Sequence, residues 1–91
     1  MKYTVRPTSK FKKDLKLAKK RGYNLSLLKD IIYKLANGES LPPENHDHPL
    51  TGNFSSLREC HIEPDWLPVY ETDDNSLYLY LTRTGTHSDI F

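Results

Sequence analysis

Cysteine and long apolar runs are scarce in this 91-residue sequence. The single cysteine, Cys60, has no partner for an internal disulfide and no companion cysteines for a structural zinc site. No apolar stretch approaches the roughly 18 residues that a membrane-spanning helix needs, and the basic N-terminal segment lacks the apolar core of a secretory signal. The composition argues against disulfide-rich, secreted and membrane-spanning classes, and we expect a cytoplasmic protein with no membrane contact.

Negative charge is nearly missing from the first part of the chain. Residues 1–38 hold eleven Lys or Arg against two Asp, for a net charge of +9, whereas residues 39–91 hold two Arg against ten Asp or Glu, for −8. The overall charge of +1 conceals this asymmetry. A basic half suits a polyanion such as RNA, although a lysine-rich helix that merely faces water explains the pattern equally well.

The first 38 residues show the pattern of a strand followed by two helices. The strand around Tyr3–Val5 should stop at Pro7, because proline cannot donate to a ladder. Apolar residues then recur at helical spacing in two segments, and each is closed by a glycine, Gly22 or Gly38. The residues suited to N-capping these two segments are Thr8 or Ser9, and Asn24.

Beyond this helical hairpin the chain first loses and then regains regular periodicity. The segment 39–56 has three prolines and many turn formers, which predicts an ordered loop outside regular structure. Alternation then predicts strands at 57–63, 66–71 and 77–83. The order βααβββ indicates a single α+β domain over residues 1–91, with a mostly antiparallel twisted sheet packed on an antiparallel two-helix hairpin.

The first strand of the second half has two distinct faces. Cys60 and Ile62 alternate with Leu57, Glu59 and His61, so His61 should point away from Cys60.

Pro68 conflicts with the next strand, since proline is normally excluded from central strands. Either the strand begins after Pro68, or it has a bulge or an edge there. The placement of Asp65 and Trp66 depends on which arrangement holds.

All the histidines fall in the acidic half, near predicted loop and strand ends: His46, His48, His61 and His87. Each of them taken singly is more often a surface residue than a catalyst. Their neighbours change this expectation, because two imidazoles, a carboxylate and a guanidinium are predicted to converge. The residues expected to share one cleft are His61, Asp65, Arg83 and His87.

These residue types match what RNA cleavage requires. RNA carries its own nucleophile, the 2′-hydroxyl, so cleavage needs only a base, an acid and positive charge near the phosphorane. Free imidazole has a pKa of about 6.5, so one histidine can accept a proton while another donates one. A positioned arginine stabilises charge that develops in the transition state. The sequence therefore predicts a metal-independent ribonuclease that needs no cofactor.

Three sequence blocks resemble a known family. DHPL at 47–50, RECHIEPDWLPVY at 58–70 and RTGTHSDIF at 83–91 are similar, in order and spacing, to the motif blocks of the YafQ branch of the RelE toxin superfamily. The resemblance implies the α+β fold and the activity of a bacterial type II toxin, an mRNA endoribonuclease acting on codons in the ribosomal A site. It also implies three partners: the ribosome, mRNA and a protein antitoxin.

The resemblance assigns roles to individual residues. The family's catalytic set falls on His48, His61, Asp65, Arg83, His87 and Phe91. It implies that His87 is the general acid, that Arg83 stabilises the phosphate and that Phe91 packs against a substrate base. The general base is left open among His48, His61 and Asp65.

The first helix and two strand aromatics supply the predicted RNA contacts. The lysines of this helix are Lys10, Lys12, Lys13, Lys16, Lys19 and Lys20. Trp66 and Tyr70 are predicted to stack on RNA bases, although strand aromatics more often belong to a core.

Two alternatives stay open at this level. A degenerate toxin would bind an antitoxin without cleaving RNA. A metal site would use His46, Asp47 and His48 with a distant ligand, although an H-x-H pair alone is a weak indication. An antitoxin, in turn, has two possible docking modes, since an acidic segment suits the lysine helix and a short element suits the cleft.

Overall fold

The computed structural model describes all 91 residues as a five-stranded sheet with three helices. The elements are β1 Thr4–Pro7, α1 Ser9–Lys20, α2 Leu25–Ala36, β2 His48–Pro49, β3 Arg58–Glu59, β4 Leu67–Asp73, β5 Tyr78–Gly85 and α3 His87–Ile90. The strand order is β1-β5-β4-β3-β2, with β1 parallel to β5 and every other pair antiparallel. The predicted α+β class and mostly antiparallel sheet are confirmed. None of the helices has the length and apolar content required to cross a membrane.

Local side-chain chemistry fixes the boundaries of the helical hairpin. Thr8 and Asn24 each accept a hydrogen bond from a backbone N–H in the first turn of the helix that follows. Gly22 and Gly38 lie just beyond the two helix ends with φ of +78° and +76°, a left-handed conformation that glycine adopts without strain. The predicted hairpin is therefore confirmed, with Thr8 rather than Ser9 as the first cap.

The core lies where one apolar face of α1 and α2 packs on the sheet. Its buried residues are Tyr3, Phe11, Leu28, Ile31, Leu35, Ala36, Cys60, Trp66, Tyr70, Leu79 and Leu81. Burial raises the pKa of the Cys60 thiol to about 12, so this side chain stays an inert thiol at neutral pH.

The structure corrects the prediction that Trp66 and Tyr70 stack on RNA. Their exposed fractions are only 3% and 2%, so neither ring presents a face to solvent. The Trp66 Nε1–H donates to Thr84 Oγ1 at 3.0 Å, and the Tyr70 hydroxyl donates to Asp47. Both aromatics are amphipathic core residues whose polar ends find hydrogen-bond partners within the protein.

The predicted strand at 57–63 and the predicted loop at 39–56 are both corrected. Only Arg58–Glu59 is extended, and its backbone pairs with His48–Pro49 of the loop, with His48 opposite Glu59. Two-residue strands leave no alternation in a sequence, so β2 was not predicted. This short ladder brings the DHPL block against the RECHIE block.

Pro68 is accommodated inside β4. The Cys60 N–H donates to the Pro68 carbonyl oxygen at 3.3 Å. In an antiparallel ladder the N–H and C=O of one residue point to the same neighbour, so the missing proline N–H faces β3 and costs no bond to β5. The strand starts at Leu67, before the proline rather than after it.

A bulge one residue beyond Pro68 redirects β5. Val69 pairs with Arg83 but Tyr70 pairs with Leu81, so β5 contains one extra residue. Every second residue of β5 is buried up to Leu81, but the next buried residue is Thr84 and not Arg83. The Arg83 side chain is consequently partly exposed. The sequence predicted a late strand start, a bulge or an edge at Pro68 itself, whereas the bulge that is present has its extra residue in β5.

Candidate active site

A buried carboxylate lies at the centre of the histidines. Glu59 belongs to β3, and its side chain is only 8% exposed. Its Oε1 lies 3.1 Å from His48 Nε2, and its Oε2 lies 3.6 Å from His87 Nε2. Oε2 is buried without a hydrogen-bond partner, an arrangement that costs free energy unless a positive charge faces it. An imidazolium on either histidine would offset that cost.

Glu59 was not among the predicted catalytic residues. Its alternation with Cys60 had already placed it on the same face as His61, and this was the signal that pointed to it. A single Glu in a strand is usually solvated, so only the structure shows that Glu59 is enclosed by imidazoles.

Both ring nitrogens of His48 are engaged. Nδ1 lies 2.6 Å from the His46 carbonyl oxygen, which can only accept, so Nδ1 carries a proton. Nε2 lies 3.1 Å from Glu59 Oε1, which is within hydrogen-bond distance. Both ring nitrogens of His48 are therefore occupied by contacts within the protein.

The loop that carries His48 is tied to the sheet through Asp47. The Asp47 carboxylate accepts from the Tyr70 hydroxyl and from Arg58 Nε, the latter at 3.3 Å. Burial is the main cause that raises the pKa of Tyr70 above its usual range, so this hydroxyl keeps its proton. Asp47 is thus an anchor, and the weak alternative of a metal site at His46, Asp47 and His48 is not supported, because their ligand atoms do not cluster.

His61 and His87 stand next to each other at the mouth of the site. Their ring centroids are 5.6 Å apart, and the ring of Phe91 lies 6.1 Å from that of His87 on another side. The His61 ring makes no hydrogen bond within the protein, so its nitrogens are free for a substrate. Donor atoms of Glu59, His61 and His87 all lie within 4.8 Å of one another.

His87 lies between two carboxylates. Glu59 faces its Nε2, and Asp65 Oδ1 lies 3.9 Å from its Nδ1. Asp65 is 73% exposed and stands at the rim, so its field is weakened by water. Each ring nitrogen of His87 thus faces a carboxylate oxygen.

The last helix is locked in place by ionic and capping contacts. Thr86 and Asp89 form a reciprocal capping box at the start of α3. Arg21, at the end of α1, donates two hydrogen bonds of 2.6 and 3.1 Å to the Asp89 carboxylate and holds its pKa well below the usual range. This clamp fixes the backbone that carries His87 and Phe91.

Arg83 lies in the same cross-strand row as Glu59, because Val69 of β4 pairs with both residues. Its Nε and Nη2 donate to Asp14 at 2.8 and 3.2 Å, and this contact raises the pKa of Arg83. The guanidinium lines the adjoining cleft together with Phe91, whose ring also lies beside that of His87. The Asp14 pair therefore holds the guanidinium in that cleft.

The six lysines predicted to bind RNA all lie exposed, and none of them forms an ion pair. They lie between the second and the last residue of α1: Lys10, Lys12, Lys13, Lys16, Lys19 and Lys20. These ammonium groups are therefore free to contact a polyanion such as RNA.

Comparison with known proteins finds relatives over nearly the whole chain. The family described as "Bacterial toxin of type II toxin-antitoxin system, YafQ" matches residues 3–91. The mRNA interferase toxin YafQ of Escherichia coli strain K12 is 39% identical over 85 residues, which cover 92% of this chain and 90% of that protein.

Solved structures agree with this assignment. A metal-bound toxin from Helicobacter pylori has 42% identity and a TM-score of 0.92, with 98% of this chain and 99% of that chain covered. The E. coli DinJ-YafQ toxin-antitoxin complex has 36% identity and a TM-score of 0.89, with 100% of this chain and 99% of that chain covered.

Proposed function

The chain belongs to the YafQ family of bacterial type II toxins, and from this premise we propose that it cleaves mRNA in the ribosomal A site by metal-independent acid and base catalysis. The observation that carries the proposal is the pairing of His61 and His87 beside the buried Glu59 carboxylate. RNA provides the nucleophile, so two proton-transfer groups and a positive field suffice.

Each proton transfer has a candidate group. His61 is the general base, because its ring nitrogens are unengaged while those of His48 are both occupied. His61 takes the proton of the 2′-hydroxyl, whose oxygen attacks the adjacent phosphorus. His87 gives its proton to the departing 5′-oxygen, which leaves a 2′,3′-cyclic phosphate and a 5′-hydroxyl.

The remaining predicted residues support these transfers. Glu59 places negative charge 3.6 Å from His87 Nε2, and Asp65 adds a weaker field from the rim. His48 holds Glu59 in position. Arg83, whose Nη1 makes no hydrogen bond in the protein, contributes positive charge from the adjoining cleft, and Phe91 packs on a substrate base there.

A bound transition metal would act on this site as an inhibitor. The toxin from H. pylori was crystallised with metal, and here Glu59, His61 and His87 offer three suitable donor atoms within 4.8 Å. A metal at roughly 2.1 Å from each ligand needs donor atoms no more than about 4.2 Å apart, and Glu59 Oε2 and His87 Nε2, at 3.6 Å, meet this condition. Such an ion would occupy the nitrogens that His61 and His87 need for proton transfer.

The partners follow from the same family and from the charge distribution. E. coli YafQ forms a complex with the antitoxin DinJ, and we propose a protein antitoxin for this chain too. Ribosomal RNA would contact the exposed lysines of α1, with affinity that falls steeply as salt rises. A substrate carried by ribosomes places the activity in the cytoplasm.

The test is a reconstituted translation reaction with mapping of mRNA ends. The protein should cut the A-site codon, and His87→Ala should abolish cutting while preserving the thermal unfolding transition. Tyr33→Ala, which removes an exposed aromatic of α2, is the matched control and should cut normally. If the protein binds an antitoxin but leaves all mRNA intact, it is a binding module and not a nuclease.

A further inference from the structure

A second cleft adjoins the histidine cluster. It has a volume of about 240 Å³ and lies between the loop that precedes β3, the end of β5 and α3. The volume is below the roughly 300–1,000 Å³ of pockets that enclose whole drug-sized ligands, so it suits a single ring system. The residues that matter here are Lys10, Phe54, Arg83 and Phe91.

Two half-exposed phenylalanines pack edge to face in this cleft. Phe54 and Phe91 have exposed fractions of 49% and 53%, with ring centroids 5.8 Å apart and ring planes at 78°. Phe54 ends a short turn, Gly52–Phe54, in a loop made otherwise of small and polar residues. A paired aromatic surface left open to water is a typical binding surface.

The rim of the cleft is cationic. Lys10 forms no ion pair, and Arg83 keeps Nη1 unengaged although Asp14 neutralises part of its charge. Aromatic faces combined with positive charge are what proteins use to bind unpaired nucleotides. The Phe91 ring also lies 6.1 Å from that of His87, so a nucleotide held here would be next to the reacting phosphate.

We propose that Phe54 forms the second wall of a nucleotide subsite, in which one unstacked base of the substrate packs against Phe54 and Phe91 beneath the charges of Lys10 and Arg83. The proposal rests on the ribonuclease function above and extends it, since Phe54 lies outside the three motif blocks. Phe54 thereby becomes a substrate-positioning residue for the bond that His61 and His87 cleave.

Three substitutions at Phe54 separate stacking from packing. Phe54→Ala should lower kcat/KM for programmed ribosomes about tenfold, the loss expected for one base–aromatic stack. Phe54→Tyr should retain the activity because it keeps an aromatic face. Phe54→Leu keeps apolar contact with Phe91 but has no aromatic face, and it should behave like Phe54→Ala. Tyr33→Ala is again the control.

Abasic nucleotides in the mRNA locate the base that the subsite holds. At one position beside the cleaved bond, an abasic nucleotide should slow the unsubstituted protein about tenfold and slow Phe54→Ala hardly further. The proposal would be overturned if abasic nucleotides at every position slowed Phe54→Ala as much as they slow the unsubstituted protein. Full activity of Phe54→Leu would also overturn it. So would a Phe54→Ala protein that cleaves normally but loses its antitoxin, because the cleft would then be a protein-docking surface. If the unsubstituted protein cleaves no mRNA, the proposed function itself fails.

Discussion

Replacing Glu59 by Gln should lower activity without lowering stability. Glu59 Oε2 lies 3.6 Å from His87 Nε2, a distance at which two unit charges interact by roughly 1 kcal/mol in water and roughly 5 kcal/mol at an effective dielectric of 20. His87 is 50% exposed, so the lower part of this range applies, and a loss of about 1.5 kcal/mol corresponds to about tenfold in kcat/KM. The free energy of unfolding should stay level or rise, because the substitution removes a buried, incompletely paired charge.

The assay is cleavage of mRNA on programmed ribosomes beside a denaturant titration. Glu59→Asp keeps the negative charge and should retain more of the activity than Glu59→Gln. An unchanged kcat/KM in Glu59→Gln, or loss of activity only in proportion to unfolding, would refute the reasoning.

Three further outcomes follow from the ion pairs and donor atoms of the site. Because the pKa of Asp89 is depressed, its contribution to stability is fully present above about pH 4 and is lost as pH falls through the folded value. The difference in urea stability between wild type and Asp89→Asn should therefore be larger at pH 7 than near pH 2. Equal differences at both pH values would contradict this. Asp14→Asn should weaken the ion pair with Arg83 and lower the free energy of unfolding by about 1–3 kcal/mol in the same titration. An unchanged free energy of unfolding would show that this ion pair does not stabilise the fold. Copper or zinc should inhibit cleavage, and a chelator should restore it. His61→Asn should reduce the metal affinity measured by calorimetry. Stimulation of cleavage by either ion would contradict metal-independent catalysis.

The helical hairpin was predictable because its signals are local. Thr8 and Asn24 cap helices through hydrogen bonds within three residues, and Gly22 and Gly38 supply the left-handed turns that end them. Such contacts depend only on the neighbouring sequence, so the predicted helix boundaries agree with the observed ones to within a residue or two.

The errors arose where tertiary contacts decide. The extra residue of β5 cannot be seen in a pattern of period two, yet it makes Thr84 and not Arg83 the next buried residue after Leu81. Trp66 was expected on the RNA face, but its apolar ring is better buried and its indole N–H finds Thr84, a partner 18 residues away. Glu59 was not predicted as a site residue because its burial depends on the pairing of β2 with β3.

The central claim is that His61 and His87 transfer protons in a metal-independent cleavage by the 2′-hydroxyl. The most direct measurement is the chemical identity of the mRNA ends formed in a translation reaction containing a chelator. Cleavage with 2′,3′-cyclic phosphate and 5′-hydroxyl ends, lost in both His61→Ala and His87→Ala, is the predicted result. Ends bearing a 5′-phosphate, or cleavage that ceases when metal is removed, would contradict it.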